Sequence, residues 1–136
     1  MLKFTVDSVK GKVINPGTIN ERRIKLFASP YSPAKRDAYG CGMALIDPGQ
    51  VHEEHAHPDS EELIFVVQGT GTGRIAGQEV QVQPGDLIAI EKGEPHQFRN
   101  TGAAPAALDL LAARAGKEVL RRLTKTIPEN RRRSLC

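Results

Sequence analysis

Long apolar runs and cysteines are scarce in this sequence. The longest uninterrupted apolar run of the 136 residues is 63–67, far below the roughly 20 residues that a membrane-spanning helix needs. The first residues also lack the apolar stretch of a signal peptide, and the only cysteines are Cys41 and Cys136. These absences argue against a membrane protein and against a scaffold built on disulfides, and we expect a cytoplasmic protein.

The charge is distributed unevenly along the chain. Residues 114–136 carry eight Lys or Arg and two Glu, a net charge of +6, whereas residues 1–113 carry eleven basic and fourteen acidic residues, a net charge of −3. The basic segment contains no aromatic residue that could stack on a nucleic-acid base. We therefore interpret it as a solvated terminus and expect neither a nucleic-acid partner nor a membrane partner.

Short stretches with the two-residue alternation of β-strands recur along the chain, each next to a Gly, Pro, Asn or Asp. This pattern predicts an all-β fold of one domain. We expect an N-terminal strand arm and loop over 1–40, a barrel over 41–112, and a short helix at 116–124 within a basic tail over 113–136. The predicted strands are 3–6, 12–14, 22–27, 41–47, 51–57, 62–68, 72–76, 78–82, 86–90, 95–100 and 106–112.

The histidines are clustered in a way that invites a metal ion. His55 and His57 share a face of a strand, since alternate side chains project together, whereas His52 has the opposite parity and is predicted to point away. A following strand that begins at Glu62 can add a carboxylate, and His96 can add a third imidazole from another strand. Three nitrogens and one oxygen suit divalent Mn, Fe, Co, Ni or Zn without separating these ions.

The segment 49–100 resembles the conserved barrel of the cupin superfamily, which carries two sequence motifs. The first motif is a glycine, five residues, His-x-His, three or four residues, a glutamate, six residues and a glycine. Here its positions are filled by Gly49, His55, His57, Glu62 and Gly69, with four residues before the glutamate.

The second cupin motif is a glycine, five residues, Pro-x-Gly, two residues, a histidine, three residues and an asparagine. Its positions are filled by Gly85, Gly93, His96 and Asn100. Glu91 stands where the motif has proline, a difference that affects a turn and leaves the histidine in place.

The resemblance implies a double-stranded β-helix, or jelly-roll, with a divalent metal held by His55, His57, Glu62 and His96. It also implies a dimer, since cupins of this size commonly form dimers. The catalytic and substrate-binding residues are not assigned by it.

The pattern of the strand after the histidines supports a dimer independently. With Glu62 facing inward, Ile64 and Val66 line the barrel, while the alternating apolar residues of the strand face outward and need a cover. Either the N-terminal arm or a second subunit would have to supply that cover. The outward-facing residues are Leu63, Phe65 and Val67.

The complete ligand set favours a metal-dependent enzyme that acts on a small oxygen-rich metabolite such as a carboxylate, an enol or a sugar-like molecule. Isomerase, decarboxylase, lyase and dioxygenase reactions all fit such a site. The alternative is a small-molecule-binding cupin module without turnover, because the sequence shows no obvious general base beside the metal ligands. A metal-free sugar-nucleotide epimerase disagrees with the ligand set, and a sugar-sensing transcription factor would need a helix-turn-helix that neither end of the chain offers.

Overall fold

The computed structural model describes residues 1–112, so the predicted helix at 116–124 and the basic tail lie outside the described residues. The described chain contains a single 3₁₀ turn, Val6–Ser8, and otherwise forms strands. The strands are β1 (Lys12–Ile14), β2 (Arg22–Ser29), β3 (Ala34–Lys35), β4 (Gly40–Ile46), β5 (Val51–His55), β6 (Glu62–Gln68), β7 (Gly71–Ile75), β8 (Gln78–Val82), β9 (Leu87–Ile90), β10 (His96–Asn100) and β11 (Ala106–Ala112).

The strands form the two sheets of a jelly-roll, so the predicted all-β fold is confirmed. One sheet has the order β1-β2-β4-β11-β6-β9, with β3 beside β2, and the other has the order β5-β10-β7-β8. All described strand pairs are antiparallel except β2 with β3. No helix within residues 1–112 is both long and apolar enough to cross a membrane.

The hydrophobic core lies between the two sheets. Its largest member is Phe98 on β10, which is 1% exposed. Alternation along the strands supplies the remaining members, because every second side chain points inward. The buried core cluster consists of Ala44, Ile46, Ile64, Val66, Val82, Ile90 and Phe98.

Asn100, the last residue of the second motif, has a structural role. Its side-chain amide donates hydrogen bonds to the carbonyl oxygens of Ile46, at 2.8 Å, and Ala104, at 2.9 Å. Its side-chain oxygen accepts from the backbone N–H of Gly102 at 2.9 Å. The buried side chain therefore joins β4 to the turn after β10, and its own amide N–H groups and oxygen all have hydrogen-bond partners.

A β-bulge interrupts the pairing of β5 with β10. His55 lies opposite His96 and His52 lies opposite Phe98, so β5 advances three residues while β10 advances two. Such a bulge leaves an extra residue without a partner and reverses the side-chain parity on its far side. His52 and His55 consequently point to the same side of the strand.

The N-terminal arm packs on the outer face of β2. The predicted strand over 3–6 is wrong, because Thr5 caps the 3₁₀ turn through a reciprocal pair of hydrogen bonds with Ser8. The ring of Phe4 lies 6.1 Å from that of Phe27, and the Lys25 ammonium donates to the Val6 carbonyl oxygen at 2.9 Å.

The outer face of β6 stays exposed. As predicted, Ile64 and Val66 point inward and are buried, whereas Phe65 and Val67 are 43% and 44% exposed. Leu63, the third residue predicted to face outward, is half-buried. Leu87, the cross-strand neighbour of Phe65 on the edge strand β9, is 65% exposed. We call Phe65, Val67 and Leu87 the outer patch. No described residue covers it, because the N-terminal arm lies on β2.

Candidate metal centre

Four side chains from three strands and one loop converge at one end of the barrel. His55 ends β5, His57 follows it in the loop, and Glu62 and His96 begin β6 and β10. One potential ligand atom from each residue lies within 4.8 Å of the others. The structure thus brings together the four side chains that the sequence singled out.

The distances within this cluster match those between atoms bound to one ion. The nearer Glu62 oxygen, Oε2, lies 2.9 Å from His96 Nε2 and 3.3 Å from His57 Nε2. Ligands at about 2.1 Å from a metal are about 3.0 Å apart at adjacent positions of an octahedron and about 3.4 Å apart in a tetrahedron. The two distances from Glu62 therefore suit a bound cation of either geometry.

The hydrogen bonds of the imidazoles also fit a metal ion. His55 Nδ1 lies 2.9 Å from the Glu53 carbonyl oxygen, and His96 Nδ1 lies 2.9 Å from the Glu94 carbonyl oxygen. A carbonyl oxygen only accepts, so each Nδ1 donates and the Nε2 of the neutral ring keeps its lone pair.

Two facing atoms of the cluster lack hydrogen-bond partners. His96 Nε2 and Glu62 Oε2 are both buried, and neither makes a hydrogen bond of acceptable geometry despite their short separation. A buried imidazole acceptor opposite a carboxylate oxygen is unfavourable unless the ring is protonated or a metal cation lies between them. The residues present therefore fit a divalent metal.

The electrostatics of the cluster keep its carboxylate charged. Burial acts to raise the pKa of Glu62, but the close imidazoles of His57 and His96 outweigh it and hold the pKa well below its usual value. Burial lowers the pKa of His55 to about 4, so this ring is neutral at pH 7. Burial also acts to lower the pKa of His96, but the Glu62 carboxylate and the Glu94 carbonyl raise it overall.

The metal-free protein is expected to lose stability as the pH falls from about 6.5 towards 4. Unfolded His55 takes up a proton near pH 6.5 that the folded protein excludes until about pH 4, so acid favours unfolding. His52, whose pKa burial also lowers, acts in the same direction, and Glu62 adds to the loss below its unfolded pKa near 4.5. The raised pKa of His96 opposes them, because its stabilisation is present below pH 6.5 and disappears as the pH rises through its folded value.

Urea unfolding in the presence of a chelator at pH 7 and pH 5 measures this effect. The midpoint should be lower at pH 5, and a His55→Ala variant should show a smaller difference between the two pH values. If the urea midpoint falls by the same amount between pH 7 and pH 5 in the variant and in the parent, the assignment to His55 is contradicted.

His52 is a correction to the sequence analysis. It was predicted to point away from the cluster, but it is buried, and its ring centroid lies 4.6 Å from that of His55. The cause is the bulge in β5, which cannot be read from residue spacing. His52 is nevertheless outside the group of four whose ligand atoms converge.

Sequence reasoning also missed two residues before the barrel. Arg22 and Asn15 both contact the carboxylate of Glu53, which precedes His55 by two positions. No local pattern marks them, because they lie more than 30 residues from Glu53 in the chain. The other acidic residues of this region, Glu54, Asp59 and Glu61, are exposed.

Comparisons with known proteins identify relatives of this chain. The Tetracenomycin polyketide synthase protein TcmJ of Streptomyces glaucescens is 30% identical over 65 residues, which is 48% of this chain and 44% of TcmJ. Protein SchB of Streptomyces halstedii is 36% identical over 92 residues, 65% of this chain and 66% of SchB. The chain thus spans less than two thirds of the length of these two relatives.

A solved structure shows the same architecture. The crystal structure of a predicted oxalate decarboxylase from Thermotoga maritima matches with a TM-score of 0.75 at 19% identity, over 84% of this chain and all of that one. At this identity the match bears on the fold alone. The family model described as "Cupin domain" matches residues 42–112, more than half of the chain, and we conclude that the chain belongs to the cupin family.

Proposed function

We propose that the chain is a metal-dependent cupin enzyme that acts on a small oxygen-rich metabolite, with one divalent transition metal held by His55, His57, Glu62 and His96. The observation that carries the proposal is the convergence of their ligand atoms within 4.8 Å. Because imidazole and carboxylate ligands suit several ions, the candidates are Mn, Fe, Co, Ni and Zn.

When bound, such an ion polarises a carbonyl, carboxylate or enol oxygen and stabilises the anion left by loss of a proton, of CO₂ or of a C–C bond. The residues of the chain prepare the site for this chemistry. The imidazole of His55 is neutral and the carboxylate of Glu62 is ionised at pH 7, which are the states that ligate. Ile90, which pairs with Glu62, and Phe98, two residues after His96, are buried apolar residues, so the hydrophobic core begins beside the cluster.

The reaction is proposed as an isomerase, decarboxylase, lyase or dioxygenase reaction. The printed name of the similar protein TcmJ refers to a polyketide synthase. This name supports an oxygen-rich organic substrate for this chain.

A non-catalytic binding module is the second candidate. Within residues 1–112, His52 is the one titratable side chain outside the group of four whose ring contacts a member of that group. Burial keeps the pKa of His52 well below its usual value, so this ring is neutral at pH 7. A neutral, buried imidazole is a poor proton donor or acceptor for a substrate, which favours a protein that binds a metabolite without converting it.

Metal analysis of the untagged protein, followed by substrate screening, tests the proposal. We expect about one divalent ion per chain, and turnover of a small carboxylate, enol or sugar-like compound by the loaded protein under aerobic or anaerobic conditions. Absence of stoichiometric metal after both purification and titration with these ions would contradict the metal centre. Ligand binding without turnover would favour the binding module.

We also propose that a second copy of the chain covers the outer patch, giving a homodimer. The patch is apolar, lies at the edge strand β9 and is left open by the N-terminal arm. Two copies of an uncharged patch can bury each other, as expected for a symmetric dimer.

Leu87→Asp is expected to convert the dimer to a monomer, raising its dissociation constant by about 10-fold or more, because a carboxylate would be buried in the interface. Light scattering coupled to size exclusion over a range of concentrations measures it. Ile19→Asp, in an exposed loop, is the matched control and should leave the dimer intact. A monomeric parent protein, or a dimer unaffected by Leu87→Asp, would contradict this interface.

A further inference from the structure

Two glutamates occupy equivalent places beside the candidate ligands. Glu53 precedes His55 by two residues and Glu94 precedes His96 by two, and each offers its backbone carbonyl oxygen to the Nδ1 of its histidine at 2.9 Å. The direction of that carbonyl sets the direction of the ring, and hence of the Nε2 that faces the cluster. Whatever fixes the backbone of the glutamate therefore orients the ligand.

Each glutamate is held by its own carboxylate. Glu94 Oε2 accepts a hydrogen bond from the backbone N–H of Glu91 at 2.9 Å, within the same turn. Glu53 is held from a distant part of the chain, because Asn15 Nδ2 donates to its Oε2 at 3.1 Å and Arg22 Nη2 lies 3.4 Å from its Oε1. The carbonyl that accepts from each histidine is thus held through a glutamate carboxylate, by a neighbouring residue for Glu94 and by distant residues for Glu53.

Arg22, one of the two residues that contact the Glu53 carboxylate, is itself held in place. The Arg22 side chain is 10% exposed, against 45% for Glu53, and its Nη1 donates to the Asn20 carbonyl oxygen at 3.0 Å. A buried guanidinium with this second contact has little freedom to move, so it can hold a carboxylate that would otherwise be mobile in solvent.

The backbone at Glu53 needs such a support. Glu53 lies within the bulge of β5, between His52 and His55, where the pairing with β10 is interrupted. On its other side β5 is the edge of its sheet, and the described contact there is the bond from Val51 N–H to the Ile19 carbonyl oxygen at 2.8 Å. Regular ladder hydrogen bonds therefore do not fix the carbonyl that receives the His55 Nδ1–H.

We propose that Asn15 and Arg22, acting through Glu53, are positioning residues that orient His55 and so set the affinity of the centre for its metal. This inference rests on the proposed metal centre. Asn15 and Arg22 lie outside the residues 42–112 that match the family model, so this support is supplied by the N-terminal segment of the chain.

The test compares Glu53→Ala, Glu53→Gln and Glu54→Ala, titrated with Zn²⁺ in competition with a chelator and with Co²⁺ for its visible absorption spectrum. Glu53→Ala is expected to weaken Zn²⁺ binding about 10-fold or more, the usual effect of removing a group that orients a ligand, and to shift the Co²⁺ spectrum. Glu53→Gln keeps an acceptor oxygen for Asn15 and should recover most of the affinity. Glu54→Ala, the same change at the exposed neighbouring residue, should match the parent protein.

The outcomes separate this inference from the proposed function. A parent protein that binds no Zn²⁺ or Co²⁺ would overturn both. A parent that binds, with unchanged affinity and spectrum in Glu53→Ala, would overturn the inference alone, even if the variant unfolds at a lower temperature.

If Glu53→Ala does not fold, the same Zn²⁺ and Co²⁺ titrations of Asn15→Gly test the inference. Asn15 has a φ of 49°, a conformation that glycine adopts freely, so this change removes the side-chain donor and keeps the backbone. We expect a loss of affinity of about fivefold, as for one ordinary hydrogen bond, and a shifted Co²⁺ spectrum. Unchanged binding and spectrum in this variant would overturn the inference.

Discussion

His57→Ala is expected to weaken binding of divalent metal by more than about 100-fold while the protein still folds. The substitution removes one of four ligand side chains, a larger change than the 10- to 100-fold cost of removing an outer partner of a ligand. The fold should persist because the core between the sheets contains no member of the cluster. We expect the free energy of unfolding of the metal-free variant to stay within about 1 kcal/mol of that of the metal-free parent. Metal content by mass spectrometry and urea unfolding measure the two effects.

Glu61→Ala is the control for this experiment. Glu61 is exposed next to the buried Glu62, so its removal changes the local charge without removing a ligand. Metal binding of Glu61→Ala should therefore resemble that of the parent. Full metal binding by His57→Ala would contradict the role of His57 as a ligand. A chain that folds only when loaded with metal would contradict the claim that the core stabilises the fold without the ion.

Phe98→Ala is expected to lower the free energy of unfolding by about 3–5 kcal/mol, the usual cost of replacing a buried phenylalanine by alanine. Phe98 is the largest fully buried side chain among those that the structure describes, and it lies in the core cluster between the two sheets. The change removes the buried apolar surface of the phenyl ring and leaves a cavity. A domain of this size should then melt roughly 10–20 °C lower. Urea unfolding and calorimetry of the metal-free proteins measure the loss.

Phe4→Ala is the matched control, since the same atoms are removed from a ring that is 36% exposed on the N-terminal arm. Its cost should stay below about 1 kcal/mol. A loss below about 1 kcal/mol in Phe98→Ala would show that the interior is not packed around this ring.

The convergence of the cluster was predictable from the sequence because it depends on strand parity and on two motifs with fixed spacing. His55, His57 and Glu62 converge as predicted, although β5 ends at His55 and His57 lies in the loop after it, outside the predicted strand 51–57. The inward direction of Ile64 and Val66 followed from strand alternation. Ligation of a metal by these residues stays a prediction, as do the cytoplasmic location and the division of the chain into arm, barrel and tail.

Other features were hidden because they depend on structure that has no local signature. The side on which His52 lies depends on a bulge, and a bulge shifts parity without altering the composition of the strand. The segment 3–6 alternates as a strand does, but the capping interactions between Thr5 and Ser8 favour a 3₁₀ turn. The contacts of Glu53 with Asn15 and Arg22 join residues far apart in the chain, which only the folded topology brings together.

The pairing of β2 with β4 has a consequence for anyone who dissects or recombines this protein. The family match begins at residue 42, but Arg23, Ile24 and Lys25 pair with residues of β4 inside the match. A fragment trimmed to that boundary would expose one whole side of β4 to other chains and invite aggregation. A chimera that transplants the barrel of a relative into this chain must keep β2 compatible with its new neighbour, or exchange the two strands together.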